Sequence, residues 1–267
     1  MNKTINMVVA GPRGKMGREA ISLIERTEHF HLVGCIDRKN NGMKLRDLEG
    51  MPAFDAPIFT DATEAFDQVN ADVLIELTNP HAGYHHAKQA LIHHVRPVVG
   101  TSGFSSDQLQ ELEELSTSNA TGIVIAPNFA IGAILMMRFA KEAAKYFPDV
   151  EIIEKHHDNK LDAPSGTAVK TAQLIQEVRE KHKQGHPEEI ETIKGARGAD
   201  IDGMKIHSMR LPGFIAQQEV VFGMSGQTLT INHNSADRAS FMSGVEFAVN
   251  EVMNREDFVY GLENLME

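Results

Sequence analysis

The sequence predicts an α/β fold, with an N-terminal Rossmann-like, doubly wound parallel sheet and a C-terminal α+β domain carrying a mixed or antiparallel sheet. Three observations carry this. Short apolar runs alternate with helical segments through the first half of the chain. A turn with glycines three apart follows the first of those runs. Beyond residue 203, three strand-like runs succeed one another with no helix between them.

Residues 4–10 are mostly apolar and β-branched, end at Gly11, and are followed by helical spacing over 16–24. Further strands are expected at 31–36, 73–77, 97–100 and 122–126. Helices are expected at 62–66, 84–94 and 107–115, the last opened by Ser105-Ser106-Asp107. After Pro127-Asn128 the rhythm changes. A long helix is expected over 131–146, stopped near Pro148, then a strand over 150–154 and a helix from Pro164 to about Lys183. Residues 184–203, charged and rich in glycine and proline, read as an exposed loop. Strands at 204–211, 216–222 and 228–232 are separated by Leu211-Pro212-Gly213 and Gly223-Met224-Ser225-Gly226. A last helix, 239–254, has no place in that second sheet. The domains are therefore set at 1–128, completed by 239–267, and 129–238.

At 267 residues and 42% hydrophobic side chains, the chain can bury a full core without staples. Its 26 basic and 37 acidic side chains, a net charge of −11, argue against nucleic-acid backbone binding but leave room for a local cationic pocket. A single cysteine, Cys35 in the run Leu32-Val33-Gly34-Cys35-Ile36, excludes a disulfide framework and reads as strand core. No run approaches the ~18–20 apolar residues of a membrane span. Met1-Asn2-Lys3-Thr4 leads into a strand rather than a signal sequence, so a soluble, cytoplasmic protein without a membrane partner is expected.

Gly11-Pro12-Arg13-Gly14-Lys15-Met16-Gly17 lies between a strand and a helix, where backbone N–H groups and the helix dipole suit a pyrophosphate. The spacing is one residue looser than the usual dinucleotide fingerprint, and a plain glycine turn is the alternative. Asp37 closes the second strand, where a carboxylate accepts from an adenosine ribose; Arg38 and Lys39 come next and suit a 2′-phosphate or a solvated turn. NADH and NADPH are both compatible with this set.

The densest chemistry lies in Glu154-Lys155-His156-His157-Asp158-Asn159-Lys160-Leu161-Asp162-Ala163-Pro164-Ser165-Gly166-Thr167-Ala168. Imidazole supplies a proton donor near neutral pH, and Lys160 can neutralise a substrate carboxylate. Backbone N–H groups of Ser165, Gly166 and Thr167, with two hydroxyls, form a prospective anion pocket. Adjacent strand residues point to opposite faces, so a metal held by His156 and His157 is disfavoured and no metal is expected. The doublets His85-His86 and His93-His94 are read as helix and loop surface.

GPRGKMG, GTSGF at 100–104, APNFAIG at 126–132 and EKHHDNKLDAPSGTA at 154–168 together resemble the 4-hydroxy-tetrahydrodipicolinate reductase (dihydrodipicolinate reductase) family of diaminopimelate and lysine biosynthesis. The resemblance covers essentially the whole chain, and the last motif is the most specific. It implies an NADH- or NADPH-dependent oxidoreductase that converts 4-hydroxy-tetrahydrodipicolinate, a dicarboxylate, to tetrahydrodipicolinate and water. It implies a homotetramer built through the second-domain sheets, and a terminal helix returning to the nucleotide domain. His156 takes the role of proton donor, His157 that of a substrate contact, Lys160 that of the catalytic lysine, and Gly166-Thr167 that of the substrate-carboxylate cradle. Gly11, Pro12, Arg13, Gly14, Lys15, Met16, Asp37 and Arg38 take the nucleotide contacts. Gly100, Thr101 and Ser102, with Ala126, Pro127, Asn128 and Phe129, take the nicotinamide end, and Arg238 and Phe241 match a hinge near the cofactor more weakly. Pro12-Arg13 departs from the small residues common there, removing one N–H and adding a charge.

The resemblance and the residues together imply substrate held by Lys160 and the Ser165–Thr167 amides, hydride addition to a conjugated imine, and protonation by His156. Closure about Pro127-Asn128 and the 234–237 segment is expected. Two other readings are another two-domain NAD(P)-dependent oxidoreductase and a dinucleotide-sensing regulator without turnover. The first has no reason to carry the His-His-x-x-Lys segment, and the second lacks a basic module.

Overall fold

The structure is a computed structural model that describes residues 3–266. Met1 and Asn2, at the approach to the first strand, and Glu267, at the end of the 239–267 segment, lie outside the described residues. The chain divides into two compact units, Met1–Ala130 with Phe241–Glu267, and Ile131–Ser240.

The first unit is a seven-stranded, wholly parallel sheet. Its strands are β1 (Ile5–Ala10), β2 (Phe30–Ile36), β3 (Ile58–Phe59), β4 (Val73–Glu76), β5 (Arg96–Val99), β6 (Ile123–Ile125) and β12 (Phe258–Tyr260). The order β12-β6-β5-β4-β1-β2-β3 reverses direction of progress between β1 and β4, the crevice where such sheets bind ligands. Helices α1 (Lys15–Arg26), α2 (Ala62–Gln68), α3 (Pro80–Ile92) and α4 (Ser106–Ser118) provide the crossovers. Strands covered on both faces run apolar and buried, as β6 does throughout and β4 does up to its last residue, the buried Glu76. Helix α1 buries one stripe, Gly17, Ala20, Ile21, Leu23 and Ile24. The terminal helix α7 (Met242–Val252) packs on α1, β5 and β6. Strands β3 and β12 have no counterpart among the expected elements; at two and three residues they are too short to show a period.

The second unit is a five-stranded mixed sheet. It comprises β7 (Asp149–His156), β8 (Ala199–Ile201), β9 (Met204–Arg210), β10 (Ala216–Met224) and β11 (Gln227–Ser235), in the order β11-β10-β7-β9-β8. Only β7 and β9 pair in parallel. Helices α5 (Ile131–Ala143) and α6 (Gly166–Gln176) pack together, α5 against β10 and β11 and α6 against β7.

Two expectations are corrected by the structure. The helix read from Pro164 to about Lys183 begins at Gly166 and ends at Gln176. Ser165 is its N-cap, with Oγ accepting the Ala168 N–H at 3.2 Å, and Pro164 stands outside it after a cis peptide bond. Nor is 184–203 all exposed loop. Gln184 is buried, its side chain accepting the Val150 N–H and donating to the Val150 carbonyl, each at 3.0 Å, and 199–201 form the edge strand β8.

Candidate active site

In the first unit, the carboxyl ends of β1, β2 and β4 enclose a cleft of about 510 Å³. Of the nucleotide residues expected from sequence, Gly11, Arg13, Gly14, Asp37 and Arg38 line it. Gly11 takes a φ of +78°, and its carbonyl oxygen would lie 2.0 Å from a Cβ at residue 17, so both ends of the glycine motif are fixed by backbone geometry. Gly14 caps α1 without a side chain, leaving that helix terminus open towards the cleft. Asp37 is buried and clasped by Arg13, Nε to Oδ2 at 2.6 Å and Nη2 to Oδ1 at 2.7 Å. Burial raises the Asp37 pKa, but the Arg13 hydrogen bonds and charge, with backbone N–H groups of Lys39 and Arg38, outweigh it and hold the carboxyl below its ordinary range.

Pro12, Lys15 and Met16 do not line that cleft, nor do Gly100, Thr101, Ser102 or the 126–129 segment. Gly100 nonetheless lies against the cleft residue Leu77 and against Phe129: a Cβ there would meet their side chains at 2.7 and 2.9 Å. Ala126 and Phe129 are buried, Asn128 turns its Oδ1 to the Ala130 N–H at 2.9 Å, and Pro127 is exposed.

In the second unit, the end of β7 and the start of α6 bring His156 and Ser165 to a carboxylate that sequence reasoning did not single out. Glu154 is wholly buried (0% exposed). It receives His156 Nδ1 on Oε2 at 2.6 Å, Arg210 through both terminal nitrogens at 2.8 Å, and the Ser165 N–H on Oε1 at 3.2 Å. Register explains the meeting: His156 pairs with Arg210 across the parallel β7–β9 ladder. Burial raises the Glu154 pKa, but hydrogen bonds from Arg210, Ser208 and His156 outweigh it, leaving the carboxyl below its ordinary range. Burial lowers the His156 pKa; Glu154 opposes that, while the Lys160 and Arg210 charges reinforce it, and the net direction is down. With Nδ1 turned to Glu154, Nε2 is the nitrogen left for proton donation.

Lys160 Nζ meets both oxygens of Asp162 at 2.7 and 2.9 Å. The Ser165 N–H is taken by Glu154 and its Oγ by Ala168, so Ser165 does not offer the free amide expected of it. Gly166 and Thr167 open α6, where first-turn N–H groups have no acceptor within the helix. A Cβ at Gly166 would meet nothing within 4 Å, so the space where that side chain would stand is open. His157 is partly buried, and its carbonyl accepts the Lys160 N–H at 3.2 Å.

The surface reading of His86 also fails. Its Nδ1 lies 2.6 Å from Oε2 of the fully buried Glu76, and the residue lines the first-unit cleft. Glu76 closing an otherwise apolar strand was the available signal, as was Glu154 at the position where the alternation Val150, Ile152 calls for another apolar side chain. Among the described residues, no three His, Cys, Asp or Glu side chains are grouped as a metal site requires.

The chain matches the family descriptions "Dihydrodipicolinate reductase, N-terminus" over residues 5–129 and "Dihydrodipicolinate reductase, C-terminus" over 132–266. It is 61% identical to a 4-hydroxy-tetrahydrodipicolinate reductase of Geobacillus thermodenitrificans, over 99% of this chain and 100% of that one. It is also 61% identical to the protein so named in Oceanobacillus iheyensis, over 98% and 99%. Among solved structures, dipicolinate-bound dihydrodipicolinate reductase from Paenisporosarcina sp. TG-14 superposes with a TM-score of 0.90 at 52% identity, covering 98% of this chain and 100% of that one. An amine dehydrogenase from Mycobacterium smegmatis, at 13% identity and a TM-score of 0.66, shares the fold alone. Both halves of the chain, with relatives matching along nearly all of it, place this protein in the dihydrodipicolinate reductase family.

Proposed function

We propose that the protein reduces 4-hydroxy-tetrahydrodipicolinate with NADH or NADPH, giving tetrahydrodipicolinate and water, in diaminopimelate and lysine biosynthesis. The observation that carries this is an imidazole braced by Glu154, which also takes the Ser165 N–H just before the Gly166 and Thr167 amides, with the Lys160 ammonium near enough for its charge to act on His156. That set suits a dicarboxylate that must be protonated at carbon. The relatives' names, and the dipicolinate in the Paenisporosarcina structure, point to the same chemistry.

The first-unit cleft fits a dinucleotide. Gly11, Gly14 and the start of α1 would hold the pyrophosphate, and Asp37 would meet the adenosine ribose. Arg13 engages each Asp37 oxygen once, and a carboxylate has about four acceptor positions, so ribose hydroxyls can still be accepted. With Arg13 and Arg38 beside it, the same place tolerates a 2′-phosphate, which supports use of both cofactors. The reduced nicotinamide, when bound, supplies a hydride to the substrate's ring. Gly166 and Thr167 amides orient one carboxylate, and Lys160, leaving Asp162, neutralises the anionic substrate. His156 Nε2, as imidazolium, delivers a proton to the ring carbon while Glu154 fixes the imidazole through Nδ1. The 4-hydroxyl leaves as water, so each turnover consumes the hydride and one proton. His157 contacts the substrate beside His156.

The test monitors nucleotide absorbance with substrate made from pyruvate and aspartate semialdehyde by a coupled synthase, NADH and NADPH in parallel. His156→Gln should fold and bind nucleotide while losing about 10²–10⁴ in kcat. Turnover equal to wild type in that variant would overturn the assignment.

The family reading extends to a homotetramer working in the cytoplasm. It rests on the family match over both halves of the chain. Light scattering should return four chain masses.

A further inference from the structure

Glu76 has no part in the chemistry proposed for the second unit, yet it is wholly buried, and its oxygens bind three segments of the first unit together. Oε1 accepts the Thr78 N–H at 2.7 Å and also the Thr78 hydroxyl, in the turn between β4 and α3. The Thr101 hydroxyl donates to it from the segment after β5, at 3.4 Å. Oε2 faces His86 Nδ1 on α3 at 2.6 Å. Gly83 lets α3 come this close: a Cβ there would lie 3.3 Å from both Oε1 and Thr101. A buried carboxylate is retained only when its oxygens are well bonded, so the position of the imidazole is strongly determined.

A carboxylate only accepts, so Nδ1 carries its proton towards Glu76 and Nε2 is left for another partner. His86 is 13% exposed at its side chain and lines the cleft that also holds Gly11, Gly14 and Asp37. The glycine turn answers to a pyrophosphate and Asp37 to a ribose. The same cleft is also lined by Leu77, Thr78 and Ala82, a partly apolar wall suited to the remaining piece, the purine. We infer that His86 is a binding residue for the adenosine half of the dinucleotide, and that Glu76 is the positioning residue that presents its imidazole. This rests on the dinucleotide reading of the first-unit cleft and adds a contact to it.

Adenosine diphosphate, which lacks the nicotinamide, is the direct probe, displaced against the fluorescence of bound NADPH. His86→Asn keeps a donor near Nδ1 for Glu76 and leaves nothing in place of Nε2. It should weaken ADP and NADPH binding about tenfold, the value of one hydrogen bond, with its thermal midpoint close to wild type. The loss should fall on KM for nucleotide far more than on kcat, as removal of uniform binding does. His86→Gln, which returns an amide towards the Nε2 position, should recover part of the affinity. Glu76→Gln should add little to the affinity loss when combined with His86→Asn, because it acts through the same ring. Equal ADP affinity in wild type and His86→Asn would overturn the inference while leaving the dinucleotide reading intact. Additive losses in the double variant would overturn the role given to Glu76. Failure of wild type itself to take up NADH, NADPH or ADP would overturn the dinucleotide reading, and this inference with it.

Discussion

Glu154→Gln keeps the shape of the side chain and removes its charge, and the geometry around it sets the cost. Oε2 serves His156 Nδ1 and Arg210 Nη1; Oε1 serves Arg210 Nη2 and the Ser165 N–H. Whichever way the amide turns, its NH2 group faces two donors. Two charge-assisted bonds at about 1.5–3 kcal/mol each are lost, which agrees with the ~3–5 kcal/mol for breaking a buried ion pair. At roughly 2–4 °C per kcal/mol for a chain of this size, the thermal midpoint should fall by about 6–20 °C. Activity should fall with it, up to the ~10²–10⁴ that a positioned general acid contributes. The pH profile separates positioning from mere loss of fold. Proton donation needs the imidazolium, so kcat/KM declines as pH rises through the His156 pKa. Burial already lowers that pKa, and Glu154 is the group opposing the shift. Without its charge the declining limb must move to lower pH. The assay is kcat/KM for the dicarboxylate from about pH 5 to 8, the range in which a histidine titrates, on the folded fraction. A limb that stays in place or moves to higher pH would refute the reasoning.

Arg13→Ala uncovers the Asp37 carboxylate, so the ratio of kcat/KM with NADPH to that with NADH should fall about tenfold, a difference of about 1.4 kcal/mol. Because Arg13 is itself well exposed, urea unfolding should change by less than about 1 kcal/mol. Gly17→Ala would set a methyl 2.0 Å from the Gly11 carbonyl oxygen, so it should lose about 1–3 kcal/mol in denaturation and most nucleotide affinity by titration. Gly166→Ala meets nothing within 4 Å and sits at a helix start, so stability should hold or rise by up to about 1 kcal/mol. The same methyl crowds the open amides, and KM for the dicarboxylate should rise several-fold in steady-state assays.

The parallel strands are legible in the sequence because burial on both faces leaves an uninterrupted apolar run, as in Val73-Leu74-Ile75. The pair β3 and β12 is not, because two or three residues carry no period. The start of α6 escapes a local reading for a tertiary reason. Glu154, eleven residues upstream, takes the Ser165 N–H and fixes Ser165 as the cap, which no local rule about proline conveys. The site divides in the same way. Its contiguous parts, the glycine turn and His156 to Lys160, can be read directly. Arg210 lies 56 residues from Glu154 and joins it only through the β7–β9 ladder, so its role becomes visible with the register. His86 is hidden by a weak inference from doublets, although Glu76 ending an apolar strand marks the neighbourhood.

Strand β12 pairs with β6 at the edge of the nucleotide sheet, yet the whole of Ile131–Ser240 lies between them in the chain. During synthesis the second unit is therefore available in full before the first can be finished. At ~5–20 residues per second, the interval from β6 to β12 lasts roughly 7–27 s. Throughout it the N–H and C=O groups on one side of Ile123–Ile125 wait for their ladder, an open template for pairing with another nascent chain. The order of maturation on the ribosome thus runs opposite to the order of the units in the sequence, and the last strand acts as the closing stitch of the first domain begun.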